Sequence, residues 1–210
     1  MKKLVLFLSI MILVISILVI VFIVPPKKYS NAKFDIENYI SDIDMDDDGI
    51  DDQMDIINNA FRYINRNPKY KSKYYTTGYP DDEYGTCVDV VGYALLNAGY
   101  NLRELVNEHI LENRDLYDID IVDKNIDFRR VQNLLIYFKY NSIELTTDIN
   151  DINEWQGGDI VIFKKHIGIV SSNRNKKGIS LVIHHASPFQ INYEEDILSK
   201  YEIVGHFRIS

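Results

Sequence analysis

Gly157-Gly158-Asp159-Ile160-Val161-Ile162-Phe163, and after Lys164-Lys165 the run His166-Ile167-Gly168-Ile169-Val170, decide the architecture of this chain. Each is a short apolar run rich in β-branched residues and bounded by turn formers, which is the pattern of a buried strand. Downstream, Asn173 to Gly178 reads as a turn, Ser180 to His185 as a third strand and Ile203 to Ile209 as a fourth. Upstream the period changes. Apolar residues recur at three- and four-residue spacing in Met54, Ile57, Phe61 and Ile64, then in Val88, Val91, Leu95 and Ala98. The same spacing returns in Leu102, Leu105, Val106 and Leu111, and in Val131, Leu134, Leu135 and Phe138. These stripes predict helices, the second of them stopped by Gly99. Helices first and strands last is an α+β order, with the helices packed on a small antiparallel sheet.

The stretch Leu4 to Val24 is apolar apart from Ser9 and Ser16, flanked by Lys2-Lys3 and by Pro25-Pro26-Lys27-Lys28. A run of about 20 apolar residues is long enough to cross a bilayer as a helix, and no small-residue cleavage pattern follows it. The expectation is an uncleaved signal anchor over 1–28 and a single-pass protein of the cell membrane whose C-terminal domain is extracellular. A long signal peptide that is removed is the alternative. Residues 29–41 read as a polar tether, 42–55 as an acidic loop and 56–210 as one domain. The net charge of −8 argues against nucleic acid as a partner.

The acidic loop contains Asp44-Met45-Asp46-Asp47-Asp48-Gly49-Ile50-Asp51-Asp52, with Asp55 three residues on. With Asp44 as position 1 of a calcium loop, Asp46 falls at 3, Asp48 at 5 and Gly49 at the sharp turn. The Ile50 carbonyl then falls at 7, Asp52 at 9 and Asp55 at 12. Ca²⁺ takes six to eight hard oxygens, and this spacing offers them, so a structural calcium ion is expected. Asp at position 12 and Asp51 at position 8 depart from the paired EF-hand. The other reading is a solvated acidic linker.

Cys87 is the single cysteine, so it has no intrachain disulfide partner. Thr86-Cys87-Val88-Asp89 fits a helix start, with Thr86 as N-cap and Asp89 three residues on. A thiol in the first turn is expected to have a lowered pKa. A nucleophilic thiol needs a base, and the base needs an orienting group. His109 sits among Glu108 and Glu112 and reads as solvated. His206 alternates with Val204 and Arg208 and reads as structural or as a support behind a site residue. His166 opens a strand whose same-face neighbour is Gly168, which suggests a close approach there. In a hairpin that sets Val170 opposite Ser180, His166 lies opposite His184. A one-residue slip would favour His185 instead.

A helix-borne Cys, then a strand His, then a polar residue on the next strand resembles the rearranged papain-like order of NlpC-type and CHAP-type cysteine amidohydrolases of bacterial cell walls. Gly158-Asp159-Ile160-Val161, His166-Ile167-Gly168-Ile169-Val170 and Ile183-His184-His185-Ala186 carry that likeness. The chain also resembles the domain-of-unknown-function 1287 family, over roughly residues 50 to 210. The matching segments are Tyr79-Pro80, Cys87 to Val91, Asp127 to Leu134, Gly158 to Val161, His166 to Ser171 and Gly205 to Arg208. Val88 stands where Thr is expected, and His185 where relatives tend to have Asn. The resemblance implies a papain-like NlpC-type fold and a cysteine peptidase or amidase acting on cell-wall peptide amides. Cys87 would be the nucleophile, His166 the base and His184 the orienter, with His185 as the fallback and no cofactor in the chemistry. It also implies that Asp127, Arg129 and Arg130 hold the helix or bind a carboxylate, a surface salt-bridge cluster being the other reading. Two rival functions stay open: a non-catalytic wall-binding or structural protein on the same scaffold, and a lipid or acyl transferase.

Overall fold

The computed structural model describes residues 7–14 and 27–209. Residues 7–14 are helical. Most of the 4–24 segment lies outside the described residues, and among those described no helix is long and apolar enough to cross a membrane.

The helices fall on the four apolar stripes: α1 (Asp52–Ile64), α2 (Cys87–Leu96), α3 (Leu102–Glu112) and α4 (Val131–Asn141). Short strands β1 (Lys69–Tyr70) and β2 (Tyr84–Gly85) pair in parallel beside the start of α2. The main sheet holds β3 (Ile143–Glu144), β4 (Ile160–Phe163), β5 (His166–Arg174), β6 (Ser180–Ile183), β7 (Glu194–Glu195) and β8 (Ile203–Arg208). It is antiparallel, in the order β3-β8-β4-β5-β6-β7. Edge strands β3 and β7 are two residues long, too short to show a period in the sequence.

Both faces of the sheet are covered. Ile160, Ile162, Ile167, Ile169, Ile183 and Phe207 pack with the helices, among them Ile56, Val91, Leu95, Leu134 and Phe138. Val161, Phe163, Val170 and Val182 pack on the opposite side with Trp155, Ile197 and Leu198. A strand buried on both faces reads as a continuous apolar run instead of an alternating one, which is what the opening stretch shows.

Four buried polar residues, Asp159, Arg208, His206 and Arg174, pin this sheet. The carboxylate of Asp159, at the start of β4, is fully buried. Arg208 grips it with Nε at 2.8 Å and Nη2 at 2.9 Å, and His206 Nε2 lies 3.0 Å away. Gln53 Nε2 and the Gln156 N–H donate to it as well, each at 2.8 Å. Trp155 stacks flat on His206, 3.8 Å between centroids, so His206 is a structural residue, as its strand position indicates. Arg174, also fully buried, donates to the carbonyls of Ile152, Trp155 and Gly178 and to the Asn31 side chain.

That arginine overturns two expectations. β5 continues to Arg174, so the turn before β6 is shorter than Asn173–Gly178. The stretch 29–41 is also not a free tether. Tyr29 pairs with Arg174 through both backbone bonds, at 2.9 and 2.7 Å, and Asn31 and Ile36 are buried. A polar segment reads as a linker, but here its polar atoms satisfy a buried guanidinium.

Asp159→Ala leaves Arg208 and His206 buried without their acceptor. The expected loss is about 3–5 kcal/mol, read as a lower urea midpoint for the full chain with unchanged helix and strand content.

Candidate active site

α2 starts at Cys87 because Asp89 makes it start there. The N–H and Oγ1 of Thr86 both donate to Asp89 Oδ2, at 2.8 and 3.0 Å. Arg129 takes the same carboxylate in a two-pronged grip, Nε to Oδ1 and Nη2 to Oδ2, both 2.8 Å, and both side chains are buried. Its Nη1 donates to the Lys73 carbonyl at 2.6 Å. Arg129 therefore holds the cysteine helix by binding a carboxylate. Arg130 stays largely exposed, 3.7 Å from Asp127, and Asp127 accepts the Asp123 N–H at 2.7 Å.

Cys87 is half-buried. Burial pushes its thiol up to about 11, and the Asp89 charge adds to this. The N–H groups of Ile167, Val88 and Cys87 itself pull the other way without winning. This corrects the expected lowering: the desolvation of a thiolate here outweighs the helix start.

His166 opens β5 and is half-buried. Its Nε2 lies 3.0 Å from Nδ1 of His184, which is buried. Nε2 of His184 lies 3.2 Å from Glu195 Oε2 on β7. The carboxylate fixes the tautomers. Glu195 accepts from His184 Nε2–H, so His184 Nδ1 is bare and accepts from His166 Nε2–H. The lone pair of His166 is then on Nδ1. Gln190 Nε2 steadies this chain, donating to Glu195 Oε2 at 3.1 Å and to the His184 carbonyl at 3.2 Å. The His184 bond holds the Glu195 carboxyl below its usual range. Burial first, and then His184 and His185, push His166 down to about 4.

The hairpin register differs from the expected one by two residues. Val170 faces Val182, not Ser180, so Gly168 is opposite His184 and His166 is its diagonal neighbour. An even shift keeps both histidines on one face. A Cβ on Gly168 would stand 2.6 Å from Val182 Cγ1 and 3.2 Å from His184 Cβ. The glycine is thus the close approach that lets His184 reach His166. His185 turns elsewhere, packed edge-on between Tyr70 and Tyr193 at 5.2 and 5.0 Å, with Nδ1 lacking a partner. His109 is not solvated: Nδ1 meets the Tyr117 hydroxyl at 2.6 Å, and Tyr137 and Tyr140 flank the ring.

Cys87 meets β5 at Ile167, the residue after His166. Ile167, whose N–H turns to the thiol, packs on the helix face, while His166 has the strand parity of Val170 on the other face. Among the described residues no hydrogen bond joins Sγ to His166. The histidine pair lies between two open clefts. One, of about 510 Å³, is lined by Phe163, Lys164, Lys165, His166, Lys200 and Tyr201. The other, of about 480 Å³, is lined by His184, Phe189, Gln190, Ile191 and Glu195.

Glu195 was not singled out from sequence. Its only local signal is a carboxylate pair, Glu194-Glu195, shortly after the histidines.

In the acidic loop, carboxylate oxygens of Asp44, Asp46 and Asp48 lie within 4.8 Å of one another. Asp52 does not join them. It opens α1, accepting from the Met45 N–H at 2.8 Å and from the Tyr100 hydroxyl. Asp51 is the helix cap, accepting from the Met54 N–H at 3.2 Å. Burial, then Asp48 and Asp46, push Asp55 up to about 6.

Comparison with known proteins gives a concordant result. Residues 57–209 match the family described as Domain of unknown function (DUF1287). The chain is 35% identical over 150 residues to "Uncharacterized protein YijF" of Escherichia coli (strain K12), covering 67% of this chain and 72% of the relative. No solved structure matches the chain.

Two solution measurements follow from the site. His166 and His185 both titrate near 4 in the folded chain, below the ordinary 6.5. The unfolded chain therefore takes up protons first, and their contribution to stability, full above about pH 6.5, is lost as pH falls toward 4. In urea titrations His166→Gln should flatten this acid slope. For the thiol, iodoacetamide alkylation of Cys87 in the folded chain should still be accelerating at about pH 9.5, beyond the ordinary cysteine range. A plateau below about pH 8 would contradict the raised thiol.

Proposed function

We propose that this chain, which belongs to the DUF1287 family, is a cysteine amidase or peptidase acting on peptide amides of the bacterial cell wall. The reading includes a papain-like NlpC-type fold and a membrane anchor over 4–24, with the domain outside. The observation that carries it is the Glu195–His184–His166 chain, whose His166 immediately precedes Ile167, the residue with its N–H turned to Cys87 Sγ. A carboxylate and one histidine orient a second histidine, leaving its Nδ1 lone pair unprotonated. A cysteine at the start of a helix packed against an antiparallel sheet supports the fold.

The chemistry proceeds from neutral partners. With the thiol raised and the imidazole lowered, proton transfer accompanies attack instead of preceding it. Sγ adds to the amide carbonyl carbon as His166 Nδ1 takes the thiol proton. The N–H groups at the start of α2 face the oxyanion. Collapse breaks the C–N bond, and His166 delivers the proton to the leaving amine. Water then attacks the thioester with His166 again as base, releasing the acid and restoring the thiol. Sγ and His166 have no hydrogen bond at rest, and catalytic bonds of this kind commonly close only with substrate bound. The clefts beside the histidine pair, neither of them lined by Cys87, are the open space available to a peptide.

That same missing bond, with the raised thiol, favours a second reading: a wall-binding protein on a retired enzyme scaffold.

Digestion of purified cell-wall fragments, followed by the appearance of new amine ends, separates the two. Cys87→Ala should abolish release. His166→Ala should lower it by about 10²–10⁴. Glu195→Gln should lower kcat by roughly 10–100-fold, as expected for an outer orienting group, and shift the pH profile. Release by Cys87→Ala at the wild-type rate would sink the enzymatic reading.

A further inference from the structure

We propose that Asp44 to Asp55 is a calcium site that fastens the beginning of the domain to the helix carrying Cys87. It stands independently of the catalytic reading. Three clustered carboxylates, Asp44, Asp46 and Asp48, would not make a site by themselves, since exposed acidic groups commonly cluster in water. Asp55 supplies the second observation. It is 4% exposed, on the first turn of α1. Among the described residues no donor bonds its carboxylate, and the acidic groups that face it are Asp48, Asp46 and Asp52. Arg62 acts on it from a distance, but Arg62 Nη1 is bonded to Asn59 Oδ1 at 2.6 Å. A carboxylate whose nearest charges are mostly of its own sign is costly to keep ionised, and a divalent cation is the group that reverses the sign.

The chemistry of the donors selects the ion. Asp44, Asp46, Asp48 and Asp55 offer hard carboxylate oxygens, and the Ile50 carbonyl falls at the position that supplies a backbone ligand. The set is all oxygen and irregular, which suits Ca²⁺; Mg²⁺ demands a near-ideal octahedron. The backbone is already wound for it. Asp44 accepts the N–H groups of Asp48 and Gly49 at 3.1 and 2.8 Å, and Gly49 turns with φ +89°. Asp52 is spent on the fold, so position 9 is left to a water, as is common there.

The loop is coupled to the cysteine helix through two contacts. Asp52 holds the Tyr100 hydroxyl just beyond α2. Met45 lies against Gly99, where an added Cβ would stand 2.9 Å from Met45 Cγ. Ordering the loop therefore orders the chain that leaves α2.

The test uses the full chain in detergent, with CaCl₂ against EGTA. Calorimetric titration should find one ion per chain. At a hundredfold excess over Kd the melting temperature should rise by about 5–10 °C. Asp46→Asn, at an exposed position that leaves the fold intact, should lose the response, and so should Asp55→Asn. An unchanged melting temperature in wild type overturns the proposal. So does a wild-type response in both variants, or an equal response to MgCl₂.

Discussion

The bidentate pair between Asp89 and Arg129 is the interaction on which the neighbourhood of the thiol depends. One carboxylate caps the cysteine helix from its third position and also receives a guanidinium from the turn before α4. Because both side chains are buried, loss of either would strand a charge, which is far more costly than loss of an exposed pair. The helix start, the position of Cys87 and the docking of α4 are thus set by one group. Its negative charge also adds to the burial that raises the thiol. Rigidity and a low thiol pKa are in conflict at this position.

A second buried polar centre does the same for the sheet. Asp159, His206 and Arg208 join β4 to β8 through a fully buried carboxylate. The segments that carry the family likeness fall largely into these two centres. Cys87 to Val91 and Asp127 to Leu134 meet at Asp89 and Arg129. Gly158 to Val161 and Gly205 to Arg208 meet at Asp159. Cys87 and His166 stand outside the polar bonding of both centres, and His166 depends on Gly168 for the space in which His184 reaches it.

Much of this was legible. The helical stripes and apolar runs correspond to α1–α4 and to β4, β5, β6 and β8, because burial imposes period on composition. The His166–His184 partnership was legible through parity, which survives the two-residue error in register. Other features were not. Tyr29 and Asn31 look like linker residues until a buried Arg174 is seen to need their oxygens. Asp52 has the spacing of a calcium ligand but is held by Met45 and Tyr100. Glu195 has no signature, since its role arises from β7 lying against β6.

The sequence by itself determined the α+β order, the family, and which residues have reactive side chains, since these follow from local period and residue type. Only the tertiary structure decided what each polar group faces. That choice placed His184 on His166 and His185 among tyrosines, and gave Asp89 to Arg129 and Glu195 to His184. It also left the thiol neutral against the pull of its helix. The physical reason is common to all of these. The pKa and the role of a buried polar group are set by desolvation and by partners many residues away, and neither is encoded in its immediate neighbours.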